Sequence, residues 1–154
     1  MDTTFDSDIN SDDTSKTTSL GSGSSKLNWS DEEYSIGIRI LDEQHKRLLD
    51  LINEVYFISE NQGTAEDLAE MVSQVESYMR THFIVEEEFM RLFHYPGYDH
   101  HRRAHVEFGA LLDNLRAHAS QPDQLSDFLT NWLTTHVLMS DQDMGRFLTS
   151  LGLR

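Results

Sequence analysis

Four stretches of this 154-residue chain repeat apolar side chains every three or four positions, and each places at least one histidine on its apolar stripe. The first stripe runs through Leu41, His45, Leu48, Ile52 and Val55. The second runs through Leu68, Val72, Val75, Met79, His82 and Glu86. The third holds His101, His105, Phe108, Leu112 and Leu115, and the fourth Leu125, Leu129, Trp132 and His136. Such steps put each set on one face of an α-helix, with charged residues opposite. A helix with one apolar face has to bury it against others.

The breaks agree. Gly63 parts the first two helices, and Thr64 with Asp67 has the spacing of a capping box. Pro96-Gly97 parts the second from the third, and Pro122 suits the first turn of the fourth. Short connections make neighbours antiparallel. The expected fold is all-α: an antiparallel up-down-up-down four-helix bundle with knobs-into-holes packing. Before it, residues 27–40 (LNWSDEEYSIGIRI) are too irregular for a long helix and are expected to form an ordered lead-in. Residues 1–26 are mostly Ser, Thr, Asp and Gly and cannot bury enough apolar surface to offset their ordering entropy. The chain thus divides into a flexible acidic tail at 1–26 and a bundle at 27–154.

Topology brings the histidines together. His45 is near the start of helix one, His82 and Glu86 near the end of helix two, His101 and His105 at the start of helix three, and His136 at the end of helix four. In an antiparallel bundle those positions share one end. His82 and Glu86 are four apart, as are His101 and His105, so each pair aims at one centre from one helix face. A lone stripe histidine is ordinarily a hydrogen-bonded core residue. Five at one level, buried without a ligand, would each need polar partners, at about 1–3 kcal/mol for every unmet group.

Imidazole and carboxylate donors admit iron, manganese, zinc, copper or nickel. Five histidines exceed what one ion usually takes, so two ions are expected, with bridging anions between them. Glu86 is one candidate bridge. Asp141 and Asp143 are candidates for the second, near His136. Asp143 shares the face of His136 in a continued helix but would sit about 10 Å along the axis. Asp141, five residues on, needs the helix to loosen just after His136. Spacing alone leaves both open.

Composition narrows the classes. The formal net charge is −15, from 27 acidic and 12 basic residues, a field that repels nucleic acid and anionic membranes. There is no cysteine, which removes disulfides, thiol nucleophiles and iron–sulfur clusters. No apolar run reaches the roughly 18 residues of a membrane span. The start, MDTTFDSDIN, has neither a basic nor an apolar leader region, so a cytoplasmic location is expected.

These residues resemble the hemerythrin family, bacterial members above all. The resemblance is carried by Trp29 with SIGIRILDEQHKRLL at 35–49, HFIVEEEFM at 82–90, YPGYDHHRRAHVEF at 95–108 and WLTTHVLMSDQDMG at 132–145. It implies a pair of irons joined by an oxo or hydroxo group and two carboxylates. It assigns His101, His105 and His136 to one iron, His45 and His82 to the other, and Glu86 and Asp141 to the bridges, against Asp143. Counting donors then leaves one position open, on the iron with two histidines, where dioxygen would bind reversibly. Trp132, Leu133 and Val137 are similar to the family's apolar pocket residues. Ala104 departs from the glutamate that many members carry there, which bears on the surroundings of the ligands.

The implied function is that of an oxygen carrier, store or scavenger, not an enzyme. A module sensing oxygen or nitric oxide through a partner, or an iron-sequestering protein, is the alternative. A ferritin-like oxidase would show Glu-x-x-His pairs, and none occurs here. Glu87 and Glu88 read as a solvated acidic face, His94, His100 and His118 as surface histidines, and Asp42 as a helix-start residue with a possible bond to a ligand.

Overall fold

The computed structural model describes residues 26–118 and 122–154. The expected tail therefore lies, apart from Lys26, outside the described residues, and the side chains of Leu115 and His118 lie outside them too. The elements are α1 (Asp31–Tyr34), α2 (Arg39–Glu60), α3 (Ala65–Leu92), α4 (Tyr98–His118), α5 (Pro122–His136), a π-helical segment (Val137–Asp141) and α6 (Gln142–Ser150). The long helix α2 packs on α3 and α5, and α4 closes the ring against the same two. This is the expected four-helix bundle. The apolar stripes meet inside it, with Leu41, Val55, Met90, Val137, Met144 and Leu148 fully buried. Among the described residues no helix is long and apolar enough to cross a membrane.

Local chemistry sets the element ends. Thr64 accepts from the backbone N–H of Asp67, and the Asp67 carboxylate accepts from that of Thr64, a reciprocal cap that starts α3. Gln62 and His94, just past α2 and α3, adopt left-handed backbone (φ 55° each), and the next residues, Gly63 and Tyr95, bond back to Ile58 and Met90. Proline opens α5, where its missing N–H costs nothing.

The lead-in is ordered and fastened at several points, among them a 2.8 Å bond from the Gln142 amide to the Glu33 carbonyl. Asn53 pairs with both backbone groups of Leu27, at 2.8 and 2.9 Å. Asp42, in the first turn of α2, accepts from the Ser35 hydroxyl and the Ile36 N–H, each at 2.8 Å. It thus ties the lead-in to α2 rather than capping the helix, whose cap residue is Ile38. Gly145 of α6 lies directly against the Ile36 backbone: a Cβ there would come within 2.4 Å of the Ile36 carbonyl oxygen.

Candidate metal centre

Sequence spacing left Asp141 and Asp143 both open, and the backbone separates them. After His136 the helix widens for five residues, Val137–Asp141, before regular winding resumes. The wider turn accommodates the extra residue between His136 and Asp141. Asp141 is fully buried beside the histidines, while the Asp143 side chain is exposed and paired with Arg146. π-Helical turns are rare and gather at functional sites.

The structure brings all seven predicted side chains together: His45, His82, Glu86, His101, His105, His136 and Asp141 are each at most 5% exposed. Every histidine faces the centre through Nε2. Glu86 divides its oxygens: Oε1 is 3.3 Å from His82 and 3.7 Å from His45, whereas Oε2 is 3.1 Å from His105 and 3.4 Å from His101. Asp141 does the same, with Oδ2 3.3 Å from His45 and Oδ1 3.0 and 3.1 Å from His101 and His136. The imidazoles therefore form two sets, and each carboxylate offers one oxygen to either set. The donor atoms fall into two overlapping groups able to hold a metal ion, Glu86 with His101, His105 and His136, and Glu86 with His45, His82 and Asp141.

The donors fit cations better than they fit one another. Both oxygens of Glu86, both of Asp141, both ring nitrogens of His45 and Nδ1 of His101 are buried without a hydrogen-bond partner. Each such group costs about 1–3 kcal/mol. The His136 Nε2 lies 3.1 Å from that of His101 and 3.2 Å from that of His105. Donors held about 2.1 Å from one ion at right angles are separated by about that much.

Without a cation the cluster is strongly polarised. Burial alone would lower the pKa of His45 and His101, yet the Asp141 and Glu86 carboxylates beside them push both up to about 9. Burial pulls His82 down to about 4, against the charge of Glu86. Burial acts to raise Glu86 and Asp141, but the surrounding histidines hold both carboxylates well below their usual range.

Residues 36–148 match the model of the hemerythrin HHE cation binding domain, which spans most of the chain. The chain belongs to the hemerythrin family. A bacteriohemerythrin of Stenotrophomonas maltophilia (strain R551-3) is 30% identical over 120 residues, covering 75% of this chain and 77% of that protein. A myohemerythrin of Sipunculus nudus is 28% identical over 111 residues, covering 72% and 85% respectively. Among solved structures, a wild-type hemerythrin superposes with a TM-score of 0.72 at 20% identity, over 79% of this chain and 97% of that one, which establishes a shared fold.

Two residues around this hemerythrin cluster escaped sequence reasoning. Glu87 is not part of a solvated face: its side chain is 21% exposed, with Oε1 3.2 Å from His105 Nδ1 and Oε2 3.5 Å from Arg102. Gln44 Oε1 is 2.9 Å from His82 Nδ1. Each orients a histidine by the nitrogen that points away from the centre. The signal was available, since a buried imidazole needs a partner for its second nitrogen. Glu88 does sit in solvent, paired with Arg91, and His94 and His100 are exposed. Trp132 stacks on His136 at 4.3 Å between ring centroids, and Leu133 and Val137 are buried on the same helical run.

Proposed function

We propose that this hemerythrin binds dioxygen reversibly at a pair of iron ions. The observation that carries the reading is the division of Glu86 and Asp141, each presenting one oxygen to either histidine set. His101, His105 and His136 would hold one ion and His45 and His82 the other, with the two carboxylates and an oxo or hydroxo group between them. When bound, a diiron pair supplies the two electrons that reversible dioxygen uptake requires.

This chain's own residues would do the rest. The ion with two histidines receives one protein donor fewer than its neighbour, which leaves room there for an exogenous ligand. Gln44 and Glu87 fix the rings of His82 and His105. Trp132, Leu133 and Val137 would wall the His136 side of the centre with apolar surface, keeping water away from it. Neutral imidazoles outnumber carboxylates five to two in the cluster, a donor set suited to holding a ligand rather than to oxidising a substrate. That supports a binding protein over an enzyme.

The test is spectroscopic. Purified protein loaded with iron should carry about two ions per chain, one for each donor group. Reduced and then aerated, it should gain a visible charge-transfer band that vanishes on deoxygenation. A colourless protein that retains zinc, or irreversible bleaching with substrate turnover, would overturn the reading.

A further inference from the structure

The cluster is sealed on most sides, since His45, His82, Glu86, His101 and Asp141 are 0–2% exposed. His105 is one of the two histidines with slightly more exposure, and it reaches the floor of a groove of about 370 Å³ between α3 and α4. Much of its lining is apolar, from Met79, Phe83, Phe108, Ile84 and Val106. Of its charged lining residues, Arg80 pairs with Glu76, and Glu87 pairs with Arg102. Gly109 forms part of its wall, and a Cβ there would meet nothing within 4 Å.

One ring separates this groove from the cluster's apolar side. Phe83 stacks on His105 at 3.8 Å and 10°, and its other ring neighbours are Trp132 at 5.6 Å, Phe108 at 5.7 Å, His82 at 5.9 Å and His136 at 6.2 Å. A rotation of Phe83 would therefore open the groove toward His82 and His136, one ring of each histidine set.

We propose that the α3–α4 groove, with Gly109 as its open wall and Phe83 as its gate, is the route by which dioxygen reaches the cluster. The proposal rests on the function proposed above for its ligand, though not for the groove's affinity for small apolar molecules. An uncharged diatomic molecule crosses an apolar floor without shedding a hydration shell, whereas an ion cannot. The groove holds roughly ten times the ~30 Å³ that a water molecule occupies in the liquid, so its middle admits such a ligand readily. Glycine inside a helix costs about 1 kcal/mol relative to alanine, and at this place its lack of a side chain keeps the passage clear.

The test is Gly109→Leu in the iron-loaded protein. The substitution improves helix propensity and its Cβ meets nothing within 4 Å, so the helix backbone need not shift. Stopped-flow measurements should show association and dissociation slowed together, by about fivefold or more, with the equilibrium constant unchanged, as expected for a gated passage. Phe57→Ala, on a distant exposed surface, should leave both rates alone. Crystals of the loaded wild-type protein under xenon pressure should show xenon between Met79 and Gly109, and Gly109→Leu should exclude it. Unchanged rates in Gly109→Leu, or a wild-type groove empty of xenon, would overturn the route. Loaded protein that takes up no dioxygen would instead overturn the function, leaving xenon to decide on the groove.

Discussion

Glu87 Oε1 stands 3.2 Å from Nδ1 of His105, so this imidazole meets the cluster with one nitrogen and a carboxylate with the other. The two contacts come from consecutive residues of α3, Glu86 inside and Glu87 at the edge. A carboxylate behind a ligating ring fixes its orientation and raises its basicity. Glu87→Ala should lower metal affinity by about 10–100-fold. Glu87→Gln, which keeps an acceptor, should lose less. Chelator competition measures both, and equal affinities in all three proteins would remove Glu87 from the site's surroundings.

Loading should release protons. His45 and His101 of the metal-free protein keep theirs up to about pH 9, because Asp141 and Glu86 hold them against the effect of burial. A cation takes the bare nitrogen, so at neutral pH these two rings should expel about two protons per chain on loading, in addition to those a bridging oxo or hydroxo group sheds as it forms from water. His82, with its pKa near 4, is already bare and contributes none. Apparent affinity should therefore climb as pH rises toward 9 and level off above it. Calorimetry in two buffers of different ionisation enthalpy measures the protons, and a flat pH profile without release would contradict the polarised cluster.

Gly145→Val should loosen the lead-in. Its Cβ would lie within 2.4 Å of the Ile36 carbonyl oxygen and 2.7 Å of the Ile36 Cβ, so one backbone must shift. Overpacking of this kind costs about 1–3 kcal/mol. Denaturant unfolding of the loaded protein reads the loss, and a stability equal to wild type would show that the two segments part without cost.

Asp42→Ala should weaken the same segment from its other side. It removes the acceptor of two hydrogen bonds, from Ser35 and Ile36, worth about 1 kcal/mol each. Because both substitutions release the lead-in, the double variant should lose less than the sum of the single losses. Strict additivity would mean that Asp42 and Gly145 hold the lead-in independently.

The stripes were legible because burial imposes a period on helices, and that period alone carried the histidines to one end of the bundle. The lead-in was legible as ordered but not in its fastening: Asp42 resembled a helix-start residue, and only the fold shows Ser35 and Ile36 folded back onto it. Asp141 was ambiguous from spacing because no propensity scale marks a π turn; the family resemblance favoured it, and the burial of its carboxylate sets it apart from Asp143. Glu87 was missed for a simpler reason. In the run Glu86, Glu87, Glu88, the first carboxylate is buried, the second faces α4 and the third faces solvent. Charge identity cannot tell them apart, whereas position around the helix can.

The widened turn after His136 also shifts the phase of everything behind it. One additional residue rotates the following helix by about 100° relative to ideal winding. Met144 and Leu148 sit on the inner surface because of that offset, and Gly145 meets Ile36 for the same reason. Winding 137–141 as ideal helix at full length would turn Asp141 and both apolar anchors outward together, whereas excising one residue from 138–140 would let ideal winding keep all three inward. The irregular backbone is thus the timing mark of the last helix, and straightening it without a deletion would misalign its whole C-terminal half.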